Sequence, residues 1–112
     1  MSKFDEKVEQ YKKFMTDKGL SFDADLLAAV TKGLGPSIYK RDAETVSGTD
    51  PKELETVKKN FLIKKLGLAD GPALDEGIAE VIEQIGKSER TKYRAVVYYL
   101  LAKKFGKESI YG

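Results

Sequence analysis

The sequence contains no cysteine and no histidine. Without cysteine there is no disulfide framework, no thiol nucleophile and no redox pair. Without histidine the commonest general base and the commonest metal ligand are gone. Zinc, haem and iron–sulfur sites built on those side chains are excluded, and so is a Ser or Cys nucleophile paired with His. Chemistry would have to come from carboxylates, lysine, tyrosine, serine or threonine, and no pattern asks for a cofactor. Long apolar runs are also missing. The longest, Ala95 to Ala102, is far short of the roughly 20 residues that span a bilayer. Met1 to Gln10 is polar and lacks the apolar centre of a targeting signal. The expected location is cytoplasmic, with no membrane contact. Charge of one sign is lacking too: 20 basic and 18 acidic residues leave a net charge of +2, which nominates no partner.

What is present is helical. The chain of 112 residues has room for one domain around one core, and no useful window alternates with period two. Ser2 is placed to cap a first helix, with Asp5 in the capping-box position and Phe4, Val8, Tyr11, Phe14 and Met15 on one face. Gly19 ends it. A second helix runs from about Asp23 to Lys32, stopped by Gly33, Gly35 and Pro36. Pro36 can open a short turn that carries Ile38 and Tyr39 inward. Lys40 to Thr49 is mostly polar, with Val46 as its one larger anchor. Asp50, Pro51 and Glu53 form the clearest helix start in the chain. That third helix buries Leu54, Val57, Phe61, Leu62 and Leu66 and closes at Gly67. Pro72 opens a fourth helix, ended by Gly86. Ser88 to Lys104 reads as a fifth, capped by Ser88, with Tyr93, Val96, Val97, Leu100, Leu101 and Phe105 as its stripe. Residues 107–112 are expected to fray. The expected fold is all-α, a compact bundle of about five helices.

Two helix pairs look alike. Asp25 to Gly35 aligns with Glu76 to Gly86, and Val57 to Gly67 aligns with Val96 to Gly106. One reading is two helix–loop–helix units packed together with an N-terminal helix outside them. The other is that amphipathic helices with basic last turns and glycine stops resemble one another for local reasons.

Few features point to chemistry. Asp23 with Asp25, and Asp75 with Glu76, lack the spacing of a calcium loop and suit helix first turns. The turn Gly33 to Ser37 lacks the Lys–Ser/Thr and the preceding strand of a phosphate loop. Two segments remain. From Lys87 to Lys107 there are seven cations and one acid, Glu89, interleaved with Tyr93, Tyr98 and Tyr99. Cations among aromatics are what single-stranded nucleic acid binding uses. Against that, Arg90 and Arg94 can pair with the acidic fourth helix. Tyr39 to Asp50 is long for a bundle connection and gathers Tyr39, Lys40, Arg41, Asp42 and Glu44. The candidate interaction surface is therefore Tyr39, Lys40, Arg41, Arg90, Arg94, Tyr98 and Tyr99.

The segments Tyr39 to Leu54, Val57 to Phe61 and Lys92 to Gly106 resemble a small bacterial family known only as a domain of unknown function. The resemblance covers nearly the whole chain. It implies a standalone all-helical domain, with helix pairs arranged as in EF-hand proteins but without calcium loops. It carries no activity, cofactor or site. The residues favour a non-catalytic binding or adaptor domain acting on a protein partner. Weak RNA or single-stranded nucleic acid binding through the basic last helix, and a homo-oligomeric structural role resting on Tyr98 and Tyr99, are the alternatives.

Overall fold

The computed structural model of the protein describes residues 2–111, with the side chains of Arg41 and Asp42 outside that description. Helix α1 (Lys3–Asp17) starts where the Ser2 hydroxyl accepts from the Asp5 amide at 3.1 Å, while the Asp5 carboxylate answers the Ser2 amide at 3.4 Å. These bonds satisfy amide donors that a helix start leaves open. Its buried face is Val8, Tyr11 and Met15. Helix α2 (Ala24–Gly33) is capped by Asp23, whose side chain accepts from the Asp25 and Leu26 amides. The Asp23 amide itself donates to the Tyr99 hydroxyl at 2.7 Å, which ties this cap to the core. Glycines follow α1 and the last helix in the left-handed region, Gly19 at φ 71° and Gly106 at φ 66°, where a side chain would be strained.

Pro36 opens a 3-10 turn, Gly35–Tyr39. Ile38 points inward and is buried, but Tyr39 does not follow it and is 47% exposed. A single-turn helix, α3 (Arg41–Glu44), comes next. Lys7 Nζ and the Tyr11 hydroxyl both donate to Glu44 Oε2, at 2.8 and 2.7 Å, and hold α3 on α1. Val46 anchors the rest of the connector at 2% exposure.

Helix α4 (Pro51–Thr56) continues as a π-helical segment over Val57–Ile63. Asp50 caps it through the Lys52 amide at 3.0 Å, but Glu53 does not complete a capping box. Its carboxylate is drawn to Arg94 instead. The wider i→i+5 spacing is visible in the bonds from Lys64 N to Lys59 O and from Leu66 N to Phe61 O. The segment buries Val57, Phe61 and Leu62.

Helix α5 is Pro72–Ile85 and helix α6 is Arg94–Lys104. Every residue of α6 from Ala95 to Ala102 is buried, so α6 is the central helix of an all-α bundle. It packs against both α2 and α5. Gly77, in the middle of α5, leaves room for the Phe105 ring. A Cβ there would lie 2.5 Å from Phe105 Cζ.

Two further expectations need correction, and one of the two open readings of the alike helix pairs is decided. The last helix starts at Arg94, not at Ser88. Residues 88–93 run as a loop because Lys92 turns its ammonium back onto the Lys87 and Glu89 carbonyls. Its own carbonyl accepts from the Val46 amide at 2.7 Å, beside an antiparallel bridge between Thr45 and Tyr93. The alike helix pairs are not equivalent units. Helix α5 packs on α6 within its pair, whereas α2 packs chiefly on α6 and α1 rather than on α4. Residues 35–46 separate α2 from α4 and dock on α1 and α6 instead. Last, Glu108–Tyr111 of the tail hold a defined turn. This 3-10 turn packs on α2, bringing Tyr111 Cε1 to 3.5 Å from where a Cβ on Gly33 would stand.

Candidate functional site

The loop after α3 and the loop before α6 face one another across an open cleft of about 590 Å³. One wall is Thr45 to Asp50 with Glu53; the other is Lys87 to Arg90 with Lys92. The segments are juxtaposed because Val46 and Lys92 share a backbone hydrogen bond and Thr45 bridges Tyr93. Gly48 completes the seam. A Cβ there would meet Lys92 Cε at 3.0 Å and Ile82 Cγ2 at 3.1 Å, so the absent side chain allows the close approach. A second, smaller depression of about 290 Å³ adjoins the cleft at Gly48 and Lys87. Leu54 of α4 and Ile78, Ala79 and Ile82 of α5 line it.

Most charged groups around the cleft are already committed. Lys92 is 4% exposed, and its ammonium donates to two backbone carbonyls. Glu89 accepts from Lys18 Nζ at 2.6 Å and from the Thr91 amide at 3.2 Å. The Lys18 bond, then the Thr91 amide, hold its carboxyl below the ordinary glutamate range. Glu53 is paired with Arg94, and Asp50 is a helix cap. Lys87 and Arg90 are exposed, and among the described residues neither has a carboxylate within 4.0 Å.

The seven candidate surface residues therefore separate. Arg90 lies in the cleft wall. Tyr39 and Lys40 are exposed at the turn before α3 but do not line the cleft. The side chain of Arg41 lies outside the described residues. Arg94 is not a surface cation. Its Nε donates to Ala43 O at 2.8 Å, its Nη1 to the Tyr98 hydroxyl at 3.2 Å and its Nη2 to Glu53. Nor does it pair with the acidic fourth helix. The cations that do so are Lys104, with Glu80, and Lys58, with Asp75. Tyr98 and Tyr99 belong to the core, at 8% and 1% exposure. Tyr98 stacks on Phe61 with ring centroids 4.0 Å apart. Tyr99 receives the Asp23 amide. They offer no surface for a second copy of the chain or for nucleic acid bases.

The sequence reasoning missed Gly48, Lys87 and the Leu54–Ile78–Ile82 pocket as parts of one site. Only contact between loops about forty residues apart brings them together. Asp23 and Asp75, weighed as metal ligands, cap α2 and pair with Lys58 at 3.2 Å.

Residues 9–109, including both walls of the cleft, match the family described as a protein of unknown function (DUF2853). The chain belongs to that family. No curated protein matches the chain. Among the described residues, no helix is long and apolar enough to cross a membrane. Family membership covers α2 to α6 and most of α1, so the bundle and the loop contact that builds the cleft lie within the shared region.

Proposed function

We propose that this protein is a non-catalytic binding domain that recognises a protein partner through the cleft between residues 45–50 and 87–92. The observation that carries this reading is the division of labour among the cations. Arg94 and Lys92 hold the two loops in place, while Lys87 and Arg90 stand exposed on the rim of an open cleft. Long ordered loops fixed on a rigid scaffold are the common place for recognition. A non-catalytic role fits the same pattern, because Glu53, Glu89 and Lys92 are engaged with structural partners rather than with one another. A nucleic acid role fits less well. The residues lining the cleft and its neighbouring pocket include no aromatic side chain, and stacking on aromatics is what makes single-stranded binding tight.

The test is photocrosslinking in cells of the source organism. A benzophenone amino acid replaces Ser47 in the cleft or Lys13 on the far side of α1; both positions are exposed. The expected result is a discrete protein adduct from position 47 alone, unchanged by nuclease. Adducts that vanish with nuclease, or identical adducts from both positions, would overturn the reading.

A further inference from the structure

The cleft and the smaller pocket share Gly48 and Lys87, so they form one groove with two kinds of surface. At about 290 Å³ the apolar part falls just below the roughly 300–1,000 Å³ typical of small-molecule sites. That size suits one or two side chains rather than a whole cofactor. Its walls, Leu54, Ile78, Ala79 and Ile82, offer no charge. Asp75 also lines it and shares the Lys58 ammonium with Asp70.

The polar part is formally balanced, with Asp50, Glu53 and Glu89 against Lys87, Arg90 and Lys92. The balance does not survive an account of who pairs with whom. Glu53 and Glu89 are neutralised from outside the cleft, by Arg94 and Lys18. Asp50 is then the one acid of the cleft lining without an ion-pair partner among the described residues, set against two exposed cations, Lys87 and Arg90, and the buried Lys92. The groove therefore presents a positive rim beside an apolar pocket.

We infer that the groove takes an extended peptide segment carrying an apolar side chain two positions from an acidic one. The apolar side chain enters the Leu54–Ile78–Ala79–Ile82 pocket, and the carboxylate lies between Lys87 and Arg90. In an extended chain alternate side chains share a face, about 6.6 Å apart, so side chains two positions apart can reach the two adjoining parts of the groove. Charge complementarity at an exposed rim sets partner choice and association rate more than affinity. The apolar anchor supplies most of the binding. This inference rests on the protein-binding reading above.

The test is selection of random dodecapeptides displayed on phage against the full-length chain, followed by titration of the selected peptides. Three substitutions at exposed positions block one part of the groove each without touching the core: Ala79→Arg for the pocket, Lys87→Glu and Arg90→Glu for the rim. The expected peptides carry Leu, Ile, Met or Phe two positions from Asp or Glu. Their affinity should fall at least tenfold in Ala79→Arg and at least tenfold in the double rim variant, with slower association at high salt in the parent protein. Peptides that depend on both blocks but show no acidic bias overturn this inference and leave the protein-binding reading standing. Selected peptides insensitive to all three substitutions overturn both. Displacement of a selected peptide by an equal concentration of octauridylate would show a nucleic acid site instead and also overturn both.

Discussion

The last part of the connector between α2 and α4, residues 43–50, has two halves that behave in opposite ways. Its first half, residues 43–46, is clasped from three sides. Arg94 binds the Ala43 carbonyl and Glu53, Tyr11 and Lys7 hold Glu44, and the Lys92 carbonyl takes the Val46 amide. Its second half is held at Gly48 by close packing, and Ser47, Thr49 and Asp50 stay exposed opposite Lys87 and Arg90. Arg90 and Arg94 are four residues apart and carry the same charge. One faces solvent, and the other is the half-buried clasp. A cation in a sequence is thus not a recognition feature until its partners are known. The clasped half gives the open half a fixed position.

The largest test of this contrast is Arg94→Ala. It leaves the Glu53 carboxylate, half-buried, without its partner and leaves the Ala43 carbonyl short of a donor. Losing one member of a buried pair costs roughly 3–5 kcal/mol. Because both side chains keep some solvent contact, at 13% and 24% exposure, the expected loss is about 3 kcal/mol, read from the urea midpoint at unchanged slope. A loss below about 1 kcal/mol would mean that Arg94 is no clasp.

Gly48→Ala tests the seam. Ile82 is buried and Lys92 is held at its far end by two carbonyls, so neither yields readily. The expected cost is about 1–2 kcal/mol, as for mild overpacking, with amide shifts confined to residues 45–49 and 87–92. Shifts spread over α1 and α2 would contradict it.

The tyrosine on the clasped side gives a pH dependence. Burial first, and then the bond to Glu44, push the Tyr11 hydroxyl above its ordinary range. The folded protein keeps that proton at pH values where the unfolded chain, near 10, releases it. The contribution is complete below pH 10 and is lost as pH rises above it, by at most about 1.4 kcal/mol per pH unit. Tyr11→Phe should cost about 1 kcal/mol at pH 7 through the lost hydrogen bond. It should also unfold with a shallower alkaline slope. Equal slopes for the two proteins between pH 10 and 11 would exclude the linkage.

Which parts could be read from the sequence follows from the range of the interactions. The caps at Ser2, Asp23 and Asp50 act within three residues, and all three stand where the local pattern puts them. Ser88 has the same local credentials and fails, because the Lys92–Val46 bond joins residues 46 apart in sequence and holds 88–93 out of the helix. Tyr98 and Tyr99 were misplaced for a different reason. A single apolar stripe leaves them outside the core, although Ala95 to Ala102 is apolar all the way round. Such a run marks a helix surrounded by others, and that signal was available. The acid-to-cation pairing around α6 was not, since Glu53 and Arg94 are 41 residues apart.

The smallest expected effect is the sharpest. Lys87→Ala combined with Arg90→Ala removes two cations that have no carboxylate partner among the described residues. If the open half of the connector serves recognition and not folding, the pair of substitutions changes stability by no more than about 0.5 kcal/mol, the ordinary range for surface positions. The same urea titration that registers Arg94→Ala is the check. A loss of 2 kcal/mol here would place Lys87 and Arg90 among the clasping groups and erase the distinction between the halves. A null result in stability, set beside tenfold weaker peptide binding in the charge-reversed variant, would separate holding the loops from using them. That separation is what a fixed binding surface requires: groups that position it and groups that remain available to a partner, on neighbouring turns of the same chain.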